Sequence, residues 1–272
     1  MRVAIQSLLW GVDTPNLETV LRETREAGYD GIEAAIDPEF LSRNKENLIA
    51  LLQKYRLALV GIARGSFEEK IAFVRWYRAE LDGLFIGMTA NDPIRRIIEP
   101  GAEYPYVYID EMEDVEKINP RPAPENDPAF SKEAKFPYAD VTFALHPHMF
   151  KSVQTLKEAE QALLRYPQLK FLPDTAHSFV AGDSPVTLVR AHYDRLIGVH
   201  IKDWAAEYGR SYHFYARGFV DLGEGDVPLI DVFDYLKRKD YRGWVIVEKD
   251  KSANPGVDAK SNREWLLENV GV

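Results

Sequence analysis

The feature that most constrains the fold is a regular alternation between short apolar segments and longer amphipathic ones. The amphipathic stretches carry apolar residues every three or four positions, which is typical of helices packed on a sheet. Strands that alternate with helices pair in parallel through right-handed crossovers. Eight such units in 272 residues predict an α/β fold, a (β/α)8 TIM barrel that forms a single domain over residues 1–272. The predicted strands are residues 3–9, 29–36, 57–63, 84–89, 141–146, 169–173, 196–201 and 244–248.

A doubly wound open sheet is the alternative to the barrel, because it shows the same alternation. No glycine-rich nucleotide-binding motif follows any predicted strand, which weighs against this alternative. The alternation breaks at residues 91–137, where prolines and charges accumulate. This segment is predicted to be a long irregular insertion between strands 4 and 5, and residues 104–110 could form a short extra strand within it.

A loop of this length is uncommon in a compact domain and is usually functional. We therefore expect the insertion to cover the mouth of the barrel or to contact a second subunit of a homo-oligomer. An insertion without a function is the alternative.

Charge and composition exclude several classes of protein. The net charge of −9 leaves the chain without the basic surface of a nucleic-acid-binding protein. No apolar run approaches the roughly 18 residues of a membrane span, and the apolar run at the amino terminus is too short for a signal peptide. A cytoplasmic enzyme is therefore expected. The sequence contains no cysteine, so any metal must be held by His, Asp and Glu.

Four potential metal ligands stand at the carboxyl ends of the last four predicted strands: His146, Asp174, His200 and Glu248. In a barrel these strand ends meet at one mouth, so the four side chains are expected to converge. Mixed nitrogen and oxygen ligands suit Mn²⁺, Co²⁺, Zn²⁺ or Fe²⁺ better than Ca²⁺. Each residue also has a structural alternative, namely a hydrogen-bonded histidine, an aspartate that caps the next helix, or a glutamate paired with a lysine at the rim.

Six short segments carry a family resemblance: GYDGIEA, ALHPH, LPDTAH, GVHIKD, GEGDV and GWVIVEKD. They resemble the sugar phosphate isomerase/epimerase superfamily, whose barrel is like that of xylose isomerase. The resemblance points to its inosose dehydratase-like and sugar epimerase-like branches. It is strong over residues 141–250 and weak over residues 1–64, and residues 91–137 do not share it.

The resemblance implies a metal-ligand set. In this superfamily a divalent metal is bound by Glu, Asp, His and Glu from consecutive late strands. Asp174, His200 and Glu248 match the last three places, and His146 takes the first place instead of glutamate. The implied cofactor is a divalent metal ion, Mn²⁺ first, with Co²⁺, Zn²⁺, Fe²⁺ or Mg²⁺ as alternatives.

The resemblance also implies catalytic roles. Epimerases and isomerases of the family are thought to move a proton between two glutamates on opposite faces of the substrate. Here Glu248 is the remaining carboxylate base, and His148 or His177 could replace the other one, since imidazole works near neutral pH. Lys202 could neutralise an enediolate oxygen.

The implied function is a sugar or cyclitol isomerase or epimerase that works through a metal-stabilised enediolate. The altered first ligand raises the alternative of elimination, by a dehydratase or another lyase acting on a keto-sugar or inosose. A non-catalytic binding protein on the same fold is a further alternative.

Five further residues are candidates to bind the substrate, a small sugar or cyclitol. Glu33 matches the family's GxDGxE motif and could contact hydroxyl groups, or it could be a charge at the rim. His213 and Arg217 lie in the long seventh loop and could reach over the mouth or anchor that loop. Trp10 and Trp204 lie near strand ends, where they could stack on a sugar ring or fill the core.

Overall fold

Eight parallel strands form one sheet within residues 1–12, 16–84, 103–118, 138–208 and 215–272, the parts of the chain that the computed structural model describes. Two further strands form an antiparallel pair beside the sheet. In chain order the strands are β1 (Arg2–Gln6), β2 (Gly31–Ala34), β3 (Ala58–Ile62), β4 (Tyr106–Ile109), β5 (Phe143–Leu145), β6 (Lys170–Phe171), β7 (Gly198–Ile201), β8 (Asp203–Trp204), β9 (Phe219–Val220) and β10 (Trp244–Val247).

The sheet closes into a barrel. Strands β1 to β6 pair in sequence, and β10 lies between β1 and β7. Two isolated parallel bridges, Phe171 with Leu196 and Asp174 with His200, join β6 to β7. The predicted (β/α)8 barrel is therefore confirmed, and closure of the ring excludes the doubly wound open sheet.

Eleven α-helices are found in the described residues, and most of them pack around the barrel. They are α1 (Leu17–Glu26), α2 (Pro38–Arg43), α3 (Lys45–Tyr55), α4 (Phe67–Leu84), α5 (Met112–Ile118), α6 (Leu156–Arg165), α7 (Thr175–Ala181), α8 (Pro185–Ala191), α9 (Tyr215–Gly218), α10 (Leu229–Arg238) and α11 (Pro255–Asn269). Among the helices described, none combines the length and the apolar character that a membrane crossing needs.

Helix α1 shows how the sequence pattern produces these elements. The Asn16 side chain accepts a hydrogen bond from the backbone N–H of Thr19 at 2.9 Å, which satisfies an amide that the first turn leaves unpaired. Past the end of the helix, Gly28 has a φ of 92°, which glycine adopts without strain. The buried face carries Leu17, Val20, Leu21 and Thr24, the residues that helical spacing predicts.

The predicted position of the fourth strand is wrong. The fourth barrel strand is β4, inside the segment assigned to the insertion, and it pairs with both β3 and β5. Leu84 is the last residue of α4, and residues 85–89 lie outside the described residues. A short apolar run does not distinguish a buried strand from the end of a buried helix, whereas the alternating Tyr and Val of β4 favour a strand. The expected cover of the mouth by the rest of the insertion also lies mostly outside the described residues.

One buried carboxylate holds the loop that follows β9. Asp203 accepts hydrogen bonds from the backbone N–H groups of Trp204 (2.9 Å), Gly223 (2.9 Å), Gly225 (3.1 Å) and Val227 (3.1 Å). A Cβ atom at Gly225 would collide with the Asp203 carboxylate, so only glycine lets the backbone come this close. The GEGDV segment is therefore a loop built around Asp203.

Candidate functional site

The four expected metal ligands converge at the carboxyl ends of the barrel strands, and all four are buried. His146 follows β5, Asp174 follows β6, His200 lies in β7 and Glu248 follows β10. The Nδ1 atom of His200 lies 2.6 Å from Oε2 of Glu248 and 3.8 Å from Oδ2 of Asp174. The ring centroids of His146 and His200 are 4.8 Å apart.

Hydrogen bonds at the far side of each ring orient the two histidines. Nδ1 of His146 lies 3.0 Å from the carbonyl oxygen of Leu172, which accepts a hydrogen bond from Nδ1–H and leaves Nε2 as the atom with a lone pair. Nε2 of His200 lies 3.0 Å from Oε2 of Glu33, which leaves Nδ1 of His200 turned towards Glu248 and Asp174. Nε2 of His146 can bind a metal as it stands, and Nδ1 of His200 can do so once it gives up its proton.

Two ligand atoms, Nε2 of His146 and Oδ2 of Asp174, have no hydrogen-bond partner among the described residues. Two more, Nδ1 of His200 and Oε2 of Glu248, contact each other at 2.6 Å as an ion pair. A buried polar atom without a partner costs about 1–3 kcal/mol, so the atoms of His146 and Asp174 are destabilising unless something binds them. Two imidazole nitrogens and two carboxylate oxygens fit a divalent cation.

Asp174 combines the two roles that the sequence left open. Its Oδ1 atom accepts a hydrogen bond from the backbone N–H of His177 at 2.8 Å and so caps α7. Its Oδ2 atom points into the cluster. Ligand atoms within 4.8 Å of one another form two overlapping groups that share Asp174, one with His146 and His200 and the other with His177 and Glu248.

The charged groups of the cluster have shifted pKa values. Burial raises the pKa of Asp174 to about 7. Burial opposes ionisation of Glu248 too, but Lys202 and His200 hold the pKa of that carboxyl well below its usual range. Burial disfavours the cation of His200, yet Glu33 and Glu248 raise its pKa to about 10. The cluster thus contains one carboxylate that stays ionised and one carboxyl that titrates near neutral pH.

Two further histidines stack beside the cluster. The rings of His148 and His177 are 3.7 Å apart at an angle of 38°. His177 is fully buried, whereas His148 is half-buried and its Nδ1 lies 2.7 Å from the carbonyl oxygen of Met149. Burial lowers the pKa of both imidazoles, so both are neutral at pH 7. Burial also lowers the pKa of His146, which keeps that ligand in its metal-binding form.

Lys202 is buried against the cluster rather than exposed in the mouth. Its Nζ atom donates to Oε1 of Glu248 at 2.6 Å and to Oδ1 of Asp250, and it lies 3.7 Å from the centroid of the Phe219 ring. The lysine therefore ties two carboxylates from the segment after β10 together. Asp250 was not singled out from the sequence, although it follows Glu248 by two residues.

The five candidate substrate-binding residues lie in different surroundings. Glu33 is fully buried and contacts His200, so it is not a charge at the rim. Trp204 is buried in the core, edge-to-face with a phenylalanine ring, and Trp10 donates its indole N–H to a glutamate on α1. Arg217 is exposed on α9. His213 lies outside the described residues.

Besides Asp250, three residues near the cluster were missed by the sequence analysis: Gln6, Tyr106 and Tyr108. Gln6 and Tyr106 both donate hydrogen bonds to Glu33. The ring of Tyr108 lies 4.3 Å from that of His146. The alternating Tyr–Val–Tyr of β4 would have indicated two tyrosines on one face, had this segment been assigned to the barrel.

Comparison with known proteins agrees with this geometry. The family model described as xylose isomerase-like TIM barrel matches residues 130–269, about half of the chain. The chain belongs to this family. Over 144 residues it is 33% identical to an inosose dehydratase of Halalkalibacterium halodurans, a match that covers 48% of each chain. The matched segment thus spans about half the length of that relative. A rhizopine catabolism protein, MocC of Rhizobium meliloti, is 27% identical over 98% of this chain and 87% of its own.

Solved structures share the fold over the whole chain. A probable 3-DHS dehydratase from Bacillus anthracis, involved in petrobactin synthesis, has a TM-score of 0.68 at 16% identity and covers 98% of this chain and 99% of its own. A D-allulose 3-epimerase from Methylomonas sp. has a TM-score of 0.59 at 18% identity and covers 99% of this chain and 98% of its own. At these identities the likeness concerns the fold alone.

Proposed function

We propose that this protein is a divalent-metal-dependent enzyme that removes the proton next to the carbonyl group of a sugar or cyclitol. One observation carries the proposal, namely the convergence of four buried side chains whose imidazole nitrogens and carboxylate oxygens face one another. The name of one sequence relative, inosose dehydratase, supports the class of substrate.

His146, Asp174, His200 and Glu248 would hold the ion through Nε2, Oδ2, Nδ1 and Oε2, the atoms that face the centre of the cluster. When bound, a divalent ion polarises a substrate carbonyl and stabilises the negative charge that follows proton removal. We propose Mn²⁺ first, because imidazole and carboxylate ligands are mixed, with Co²⁺, Zn²⁺, Fe²⁺ and Mg²⁺ as alternatives.

Glu248 is the proposed base. Its carboxylate is ionised, because Lys202 and His200 lower its pKa, and an ionised carboxylate can accept a proton from carbon. The hydrogen bond from Lys202 to Oε1 fixes the orientation of the carboxylate. The positive charge of Lys202 also favours the enediolate that the substrate becomes.

His148 is the proposed second acid–base group, with His177 stacked behind it. His148 is half-buried, so a substrate in the mouth can reach it. Its imidazole is neutral at pH 7 because burial lowers its pKa. It can therefore take up the proton that Glu248 removes from carbon and pass it to the departing hydroxyl, which leaves as water, so that no net proton is consumed.

Two outcomes follow from the same proton removal. Loss of a hydroxyl from the neighbouring carbon is elimination, and it needs one base and one acid, which Glu248 and His148 supply. We propose this dehydratase-type outcome first, because His146 stands where the family has a second glutamate and because the inosose dehydratases are relatives. Epimerisation or isomerisation, which the sequence placed first, is the second candidate, and the pair of His148 and His177 would supply its second base.

The experiment is a substrate panel in D₂O. Metal-loaded protein is incubated with inososes and 2-keto sugars and followed by NMR, with a chelator-treated sample as control. Elimination gives an unsaturated ketone, whereas epimerisation puts deuterium next to the carbonyl of recovered substrate. Elemental analysis should find one ion per chain. A protein that binds no divalent metal, or that turns over equally well after chelation, would contradict the proposal.

His148→Ala separates the two outcomes. If His148 assists a leaving hydroxyl, a substrate with a better leaving group should restore part of the lost rate. If it accepts a proton from carbon, the leaving group should make no difference, and deuterium exchange should fall together with turnover.

A further inference from the structure

A second layer of side chains lies beneath the four ligands, inside the barrel. Its centre is Glu33 on β2, which is fully buried. The Glu33 carboxylate accepts a hydrogen bond from Nε2 of Gln6 at 2.6 Å and another from the hydroxyl of Tyr106. It also lies 3.0 Å from Nε2 of His200. Both of its oxygens are therefore engaged by the protein.

We infer that Glu33 is a positioning residue that acts through His200, and that it does not bind the substrate. The inference rests on the proposed function, because it assumes that His200 is a metal ligand. A carboxylate that already accepts three hydrogen bonds from the protein has little capacity left for substrate hydroxyl groups. By accepting a hydrogen bond from Nε2–H of His200, it fixes the ring so that Nδ1 faces Asp174 and Glu248, where a metal ion would replace the Nδ1 proton.

Residues on either side of β2 in the sheet, one on β1 and one on β4, hold Glu33 in this position. Gln6 comes from β1, which pairs with β2, and Tyr106 comes from β4. The Tyr106 ring lies over Gly61 of β3, where a Cβ atom would overlap the ring. Glycine at position 61 thus lets the hydroxyl of Tyr106 cross β3 and reach Glu33. Side chains from β1, β2 and β4 together support one ligand on β7.

The two histidine ligands are consequently unequal. The outer ring nitrogen of His200 contacts the carboxylate of Glu33, whereas that of His146 contacts the neutral carbonyl oxygen of Leu172. A charged acceptor makes the stronger hydrogen bond and leaves the opposite nitrogen a better electron donor. His200 is therefore the histidine on which the affinity for the metal depends more.

The test measures metal binding without any substrate. Glu33→Gln keeps the size of the side chain and one oxygen acceptor but removes the charge. We expect its affinity for Co²⁺ and Mn²⁺ to fall about 10- to 100-fold, with a shift in the visible absorption of the Co²⁺ form. Once the metal is saturating, the KM should stay within about twofold of the unchanged protein, because the substrate does not contact Glu33.

Glu26→Gln is the matched control, since Glu26 is exposed on α1 and should bind both metals as the unchanged protein does. Tyr106→Phe is the second variant, for the case that Glu33→Gln does not fold. It removes one hydrogen bond to Glu33 and should therefore lower metal affinity too, but by less than Glu33→Gln does. Unchanged metal affinity in either variant would overturn the inference. A raised KM with unchanged metal affinity in Glu33→Gln would show that Glu33 binds the substrate instead. If the unchanged protein binds no metal, the proposed function itself fails.

Discussion

Two buried aspartates, Asp174 and Asp203, stand on neighbouring segments of the barrel mouth, and each is about 1% exposed. Asp203 accepts four backbone hydrogen bonds, which use both of its oxygens. Asp174 accepts one backbone hydrogen bond at Oδ1, and its Oδ2 has no hydrogen-bond partner among the described residues. Burial alone therefore does not mark a functional carboxylate, whereas a shortfall of hydrogen bonds does.

The two residues also affect stability in opposite ways. The hydrogen bonds of Asp203 build a loop that glycine alone allows, and they stabilise the folded chain. The bare oxygen of Asp174 destabilises it until a ligand binds, because binding only to the folded state adds free energy by mass action. The mouth thus contains one carboxylate that supports structure and one that is prepared for a ligand.

The largest effect on turnover is expected at Glu248, which lies with Asp174 among the four candidate metal ligands. Glu248→Gln is nearly isosteric and should fold, but it removes the base and weakens the metal site. Loss of a general base alone lowers turnover by about 10² to 10⁴. Turnover is measured at saturating metal, with Glu26→Gln as the matched control. Full activity in Glu248→Gln would show that the four candidate metal ligands are not the catalytic site.

Asp203→Asn should lower stability and leave metal binding unchanged. The amide group presents N–H donors to the backbone N–H groups of Gly223 and Gly225, so hydrogen bonds to a charged acceptor are lost. The expected loss is about 2–3 kcal/mol in the free energy of unfolding, measured by urea denaturation of metal-free protein. Metal affinity that falls as far as in Glu248→Gln would remove the contrast between the two carboxylates.

Asp174→Asn gives the most specific effect on stability, because that effect depends on pH. Burial raises the pKa of Asp174 from 3.8 to about 7, so the folded chain binds this proton more tightly than the unfolded chain. Between about pH 4 and pH 7 the folded state therefore loses stability at this group as the pH rises. Relative to the metal-free unchanged protein, Asp174→Asn should gain stability from pH 5 to pH 8, as thermal unfolding can measure. A constant difference would contradict the raised pKa.

Much of the fold and the positions of the ligands followed from the sequence. The alternation of strands and helices implies parallel pairing, and the ends of parallel strands in a barrel must meet. His146, Asp174, His200 and Glu248 therefore lie at strand ends that meet at one mouth. Their roles as ligands, and those of His148, His177 and Lys202 in catalysis, stay predictions until the experiments above are done.

The second layer did not follow from the sequence, for two physical reasons. Strands buried on both faces do not alternate between apolar and polar residues, so the direction in which Glu33 points cannot be derived from β2. The partner Tyr106 lies in a strand that the apolar run at residues 84–89 concealed. The pairing of Glu33 with His200 joins residues 167 positions apart, and local sequence patterns do not report contacts at that distance.

The bridge between Asp174 and His200 also bears on the rigidity of the barrel, because it joins the ends of β6 and β7. Strand β6 has two residues, and β6 and β7 meet only through isolated bridges, so this is the seam at which the ring of strands is closed. The amide of Ile197 donates to Phe171 and that of His200 to Pro173, and both hydrogen bonds cross this boundary. An ion bound by both Asp174 and His200 would connect the two sides of the boundary. Slower exchange of the amide protons of Ile197 and His200 with solvent deuterium after metal is added would then show that the metal stabilises the contact between β6 and β7.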